Sequence, residues 1–107
     1  MSASPKKIGG RFTLVAKIIA KAGKEQDVAK YLNAVRLSAI SDKEPNCYTY
    51  RVNQFQNTFV IFEEYENPEA LKFHSQQPDF QAWSKQIPNL VEGTPEVHFF
   101  KEQTSKL

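Results

Sequence analysis

Between residues 12 and 20, apolar and branched side chains fall on both faces of an extended chain. Phe12, Leu14, Ala16 and Ile18 share one face, and Thr13, Val15, Lys17 and Ile19 share the other. This predicts a strand. The period then lengthens. Val28, Leu32, Val35 and Ala39 recur at helical spacing and predict a helix over about 25–41, with Lys24, Asp27, Lys30 and Asn33 on its wet side. Pro45 cannot continue that helix. Cys47 to Phe55 reads as a second strand, with Tyr48 and Tyr50 on one face. The short turn Gln56-Asn57 leads back into a third strand, Phe59 to Glu66. Asn67-Pro68-Glu69 is a helix start: Asn67 caps, Pro68 suits the first helical position, and Glu69 complements the positive end of the helix. That helix runs to about Ser75. Pro78-Asp79 opens another, with Phe80, Trp83 and Ile87 as its buried stripe and Pro88 as its end. Val97-His-Phe-Phe closes the domain as a strand.

Strand, helix, strand, strand, helices, strand is the order of an α+β, ferredoxin-like βαββαβ unit: an antiparallel sheet with helices on one face. Such a sheet normally alternates apolar with polar. The first and third strands do not, since Val60 and Phe62 oppose Phe59 and Ile61. The second face therefore needs a cover, and the sheet of a second copy is the simplest one. This predicts a homodimer, with about 800 Å² per partner as the usual scale for a stable interface.

Composition narrows the function classes. A chain of 107 residues is one domain with one core. We divide it into a leader (1–10) hinged at Gly9-Gly10, a domain (11–101) and a tail (102–107). A formal net charge of +2 does not suggest nucleic-acid binding, and no apolar run suggests a membrane span. The single cysteine, Cys47, allows no internal disulfide and no cysteine zinc cluster. Two distant histidines give no metal-ligand spacing, so no metal is expected. The last three residues, Ser105, Lys106 and Leu107, form the tripeptide read by the peroxisomal import receptor, so a peroxisomal location is expected.

The chemistry concentrates at residues 59–74, where an oily strand ends in Glu63, Glu64 and Tyr65 and leads into a helix that carries His74. An imidazole titrates near neutral pH, which makes His74 the first candidate base. Glu63 shares a strand face with Phe59, Ile61 and Tyr65. Burial there would raise its pKa and make it a base or proton relay, unless Lys17 pairs with it from the adjacent strand. Tyr65 is either a donor to a substrate oxyanion or a strand-end aromatic with its hydroxyl in water. Lys17, Phe59, Ile61, Phe80 and Trp83 are the expected pocket residues, although Phe80 and Trp83 suit a core equally well.

Several motifs together resemble the antibiotic biosynthesis monooxygenase family of dimeric α/β-barrel proteins. They are Ala22-Gly-Lys-Glu, Glu44-Pro-Asn-Cys, Phe59-x-x-Phe-Glu-x-Tyr, Asn67-x-x-Ala-Leu-x-x-His74 and Pro78-x-Phe80, spread over about 11–101. The resemblance implies a pocket between sheet and helices. It also implies, for many members, oxygenation of aromatic polyketides or quinols with O2 and no metal or flavin cofactor. Other members isomerise phosphorylated diketones or degrade haem. The haem-degrading branch carries Asn, Trp and His where this chain has Lys17, Tyr65 and Ser84, which argues against haem. The expected activity is thus cofactor-independent monooxygenation of a small, largely apolar quinol, phenol or enolisable carbonyl compound. The alternatives are an isomerase of a small hydroxy-ketone, and a non-catalytic ligand-binding or stress-related dimeric barrel protein.

Overall fold

The structure is a computed structural model and describes residues 8–103. The elements run β1 (Phe12–Ile19), α1 (Glu25–Ala39), β2 (Cys47–Phe55), β3 (Thr58–Tyr65), α2 (Pro68–Ser75), α3 (Pro78–Leu90) and β4 (Glu96–Phe100). The strands form one open antiparallel sheet in the order β2-β3-β1-β4. This is the ferredoxin-like α+β arrangement, with its second helical segment split in two. The two strands with apolar residues on both faces, β1 and β3, lie at the centre of the sheet. That position is where double-sided burial is geometrically available.

One face of the sheet carries the core. Phe12, Leu14, Ala16 and Ile18 of β1 stand opposite Tyr65, Glu63, Ile61 and Phe59 of β3, and all eight are buried. The α1 stripe Val28, Leu32, Val35 and Ala39 packs over them and is fully buried, as the helical spacing predicts. Trp83 anchors α3 against α1, its ring 6.4 Å from that of Tyr31.

The other face is left uncovered by this chain. Ile19, Val60, Phe62 and Phe100 are each more than a third exposed on it. Val15 and Lys17 lie between them on β1, and His98 and Glu96 on β4.

Three local expectations are corrected. The first helix ends at Ala39 rather than Ser41, because Ser41 turns back on Ser38 through both its N–H (3.1 Å) and its hydroxyl (2.7 Å). Pro88 does not end the last helix, which runs through it to Leu90. The end there is fixed from outside: the Lys21 N–H donates to the Leu90 carbonyl at 2.9 Å, and Ala20 bridges to Val91. Finally, Tyr48 and Tyr50 do not share a face. A β-bulge between Cys47 and Thr49 breaks the alternation, leaving Tyr48 exposed and Tyr50 buried. Residues 1–7 of the expected leader and residues 104–107, with the Ser105-Lys106-Leu107 tripeptide, lie outside the described residues.

Candidate active site

The site is built from the start of α2 inward. The Asn67 side chain accepts from the Ala70 N–H at 2.9 Å, and Pro68 fills the first turn. This fixes the phase of a short helix whose buried positions are Ala70 and His74, one turn apart on the inner face. His74 is 1 % exposed and sits among three aromatic rings, those of Phe80 (5.2 Å between centroids), Tyr50 (5.3 Å) and Tyr65 (5.6 Å).

Its orientation comes from a residue that sequence reasoning named only within the Glu44-Pro-Asn-Cys motif and gave no role. Glu44, buried in the turn between α1 and β2, places Oε1 2.6 Å from His74 Nδ1. Its other oxygen accepts from Ser38 Oγ at 2.7 Å. A carboxylate only accepts, so Nδ1 carries a hydrogen, and in the neutral ring the lone pair is then on Nε2. No protein group among the described residues meets Nε2. The signal for Glu44 lay in α1, where Ser38 sits beside Val35 and Ala39 on the buried side. A polar residue in a buried stripe needs a partner.

The sheet supplies the second half of the site. The Tyr65 hydroxyl donates to Glu63 Oε1 at 2.5 Å, and Tyr50 stands directly opposite Glu63 on β2. Burial pushes the Glu63 carboxyl up to about 7, against the opposing pull of the His74 charge and the Tyr65 hydrogen bond. Burial, reinforced by the Glu63 charge, pushes both Tyr50 and Tyr65 well above the ordinary phenol value. These tyrosines are donors at any physiological pH. The Cys47 thiol, also in this neighbourhood, is pushed up to about 12 by burial and then by the Glu44 charge, which makes it no nucleophile.

The structure therefore brings together three of the residues picked from sequence, His74, Glu63 and Tyr65. Phe80 joins them, half-buried against the imidazole. Lys17 does not belong to the site. It is paired with Val60 and Glu96 on the uncovered face, so the sheet itself separates it from Glu63. Phe59, Ile61 and Trp83 are packed core. A cleft of about 350 Å³ lies beside the site, lined by Glu44, Asn46, Cys47, Asn67, Ala70 and Phe73, among others, while His74, Glu63 and Tyr65 stay buried behind it. The cleft is at the lower end of the volume range of small-molecule sites, about 300–1,000 Å³. Glu44 both lines this cleft and holds His74. Among the described residues no cluster of His, Cys, Asp and Glu is arranged to hold a metal ion, and no helix is long and apolar enough to cross a membrane.

The buried carboxyl has a measurable consequence for stability. In the unfolded chain Glu63 returns to about 4.5. Between that pH and about 7 the unfolded state releases a proton that the folded state keeps. Stability due to this group is thus full below pH 4.5 and is lost as pH rises through 7. The loss amounts to about 3 kcal/mol. Urea unfolding of wild type and Glu63→Gln across pH 4–8 checks this. The stability of the glutamine variant relative to wild type is expected to grow over that window, and parallel curves would show that Glu63 ionises freely.

Comparison with known proteins agrees with this geometry. The sequence profile of the family described as "Antibiotic biosynthesis monooxygenase" matches residues 11–86, which include β1 to β3, Glu44, Glu63, Tyr65 and His74. The chain belongs to this family. Among solved structures, PA3566 from Pseudomonas aeruginosa superposes with a TM-score of 0.81 at 20% identity, over 89% of this chain and 96% of that one. Rv0793 from Mycobacterium tuberculosis gives 0.80 at 17% identity, over 91% and 99%. SO0527 from Shewanella oneidensis gives 0.72 at 23%, over 87% and 91%. At these identities the likeness is one of fold. No curated protein sequence matches the chain significantly.

Proposed function

We propose that this member of the antibiotic biosynthesis monooxygenase family is a homodimeric oxygenase. It acts with O2, and without a bound cofactor, on a small, largely apolar quinol, phenol or enolisable carbonyl compound. The observation that carries the reading is the His74 imidazole: buried, oriented through Nδ1 by Glu44, with Nε2 unpartnered among aromatic rings. Leaving a buried acceptor unmade costs about 1–3 kcal/mol. A substrate O–H or an acidic C–H beside Nε2 meets that need and loses its proton there.

Proton removal is the step that such chemistry requires of a protein. Ground-state O2 is a triplet and reacts slowly with closed-shell molecules. An electron-rich anion passes it one electron, and the radical pair then combines. The substrate does the electronic work, while the protein supplies a base, donors for the developing anion and a dry surrounding. In this reading His74 is the base, Tyr50 is the donor, the Tyr65 hydroxyl is engaged by Glu63, and Phe80 helps exclude water. The cleft between Glu44 and Phe73 is the entrance.

The test is oxygen uptake with a panel of quinols, anthrones and enolisable ketones in metal-chelated, flavin-free buffer. Uptake with product formation supports an oxygenase. Turnover without uptake replaces it with an isomerase, and binding without turnover replaces it with a ligand carrier.

The uncovered sheet face supports the dimer. Phe62 is central on it, between Val15 and Arg51, and contiguous exposed apolar surface of this kind marks an interaction site. Light scattering at micromolar concentration is expected to give a dimer for wild type and a folded monomer for Phe62→Lys. A monomeric wild type would remove the dimer. The Ser105-Lys106-Leu107 tripeptide supports a peroxisomal location. A fluorescent fusion with a free C-terminus is expected in peroxisomes, and its Leu107 deletion in the cytosol.

A further inference from the structure

Glu63 has a place in the fold that His74 alone does not explain. It is the one charged residue type on the inner face of β3, between Ile61 and Tyr65. Its partners across the sheet are Leu14 and Tyr50, neither of them a cation. Lys17, the nearest candidate from sequence, is on the opposite face. What touches Glu63 is the Tyr65 hydroxyl, and the positive charge that bears on it is the imidazolium form of His74. With no lysine or arginine to pair it, burial outweighs the pull of His74 and favours the neutral acid, and a neutral acid is a proton donor. Two tyrosines thus link the base and the acid: both rings pack against the imidazole, the Tyr65 hydroxyl donates to Glu63, and Tyr50 stands opposite it.

Building on the oxygenase reading, we propose that Glu63 is the general acid of the reaction: it protonates the oxygen that departs when the substrate hydroperoxide breaks, with Tyr65 holding its carboxyl group in place. The proton and electron balance follows. His74 Nε2 takes a proton from the reacting carbon and leaves the electron pair on it. One electron passes to O2, the radical and superoxide combine, and the C–O bond forms. The peroxide anion takes the proton back from His74 and becomes C–OOH. His74 then removes the second hydrogen of that carbon as a proton. The C–H pair becomes the second bond of a carbonyl group, and the O–O bond breaks with its pair on the departing oxygen. Glu63 gives that oxygen a proton, and water leaves in place of hydroxide. The Glu63 carboxylate regains its proton from the His74 imidazolium. The sum is CH2 + O2 → C=O + H2O, with all four electrons from the substrate. The substrate class narrows accordingly to carbon acids with two hydrogens on the reacting carbon. A CH2 between aromatic or carbonyl groups qualifies, as does the keto tautomer of a phenol.

Without the acid, the hydroperoxide has another exit. The peroxide anion leaves with the C–O pair and takes up a proton, while a conjugated O–H of the substrate loses one. The sum is then SH2 + O2 → S + H2O2. The test measures O2 consumed and H2O2 formed, with whichever panel compound shows uptake in wild type as the probe. In Glu63→Gln, which keeps the volume and an acceptor for Tyr65, the fraction of O2 recovered as H2O2 is expected to rise by about tenfold. Glu63→Asp is expected to restore coupling in part. Tyr65→Phe removes the hydroxyl that positions the carboxyl and introduces no charge, so it is expected to raise the peroxide fraction by about threefold. It provides a second measurement if the glutamine variant folds poorly. Unchanged H2O2 fractions in these variants, with slower uptake alone, would overturn the acid role and leave the oxygenase reading standing. No uptake by wild type on any panel compound would overturn that reading and this proposal together.

Discussion

Replacing His74 with glutamine is expected to lower turnover by about a hundredfold or more, the usual scale for losing a general base. Glutamine is the informative variant because its amide N–H still reaches toward Glu44 Oε1, so the buried carboxylate keeps a partner. Alanine would instead strand a buried charge and confuse loss of chemistry with loss of fold. Initial rates of O2 uptake, together with light scattering and thermal melting, check the expectation. Recovery of activity by added imidazole in a His74→Gly variant would strengthen the assignment. A glutamine variant that keeps near-normal turnover would move the proton acceptor elsewhere, with the Glu63 carboxylate first in line.

The elements of the fold were legible because each depends on local pattern. The α1 stripe is spaced so that one face alone is apolar, and Asn67-Pro68-Glu69 can hardly be anything but a helix start. Where the pattern misled, something from outside the segment decided. Pro88 removes one helical N–H, yet α3 continues because its last turn is tied to Lys21 and Ala20 across the chain. Tyr48 left the face of Tyr50 because a bulge inserted one residue into β2, and strand alternation alone does not show bulges.

The site was legible in part. His74, Glu63 and Tyr65 converge because they lie in one continuous stretch, where strand parity and helix phase fix their directions. Lys17 was misplaced because pairing it with Glu63 requires them to share a sheet face. The register settles the matter against it, setting Leu14 opposite Glu63 and Val60 opposite Lys17. The role of Glu44 was missed because its contact with His74 spans thirty residues and two elements. Only the buried Ser38 hinted that the end of α1 had a polar partner.

That contact gives the largest stability effect we expect. Glu44→Ala removes the acceptor of both the His74 Nδ1–H and the Ser38 hydroxyl, in a site where neither has access to water. Breaking one side of a buried pair typically costs about 3–5 kcal/mol, a large share of a small domain's total stability of about 5–15 kcal/mol. Urea unfolding is expected to show a loss on that scale. Glu44→Gln keeps an acceptor oxygen and the side-chain volume, so its loss should be clearly smaller. Turnover separates support of the fold from support of the base. In the glutamine variant the ring loses the carboxylate that selects the Nδ1–H form, so kcat is expected to fall while the dimer persists. A double-mutant cycle of Glu44→Ala with His74→Ala, each of which removes the contact, then measures their coupling, expected at about 0.5–3 kcal/mol for contacting residues. A coupling near zero would mean that Glu44 holds the turn through Ser38 alone, and that His74 finds its orientation from the surrounding rings.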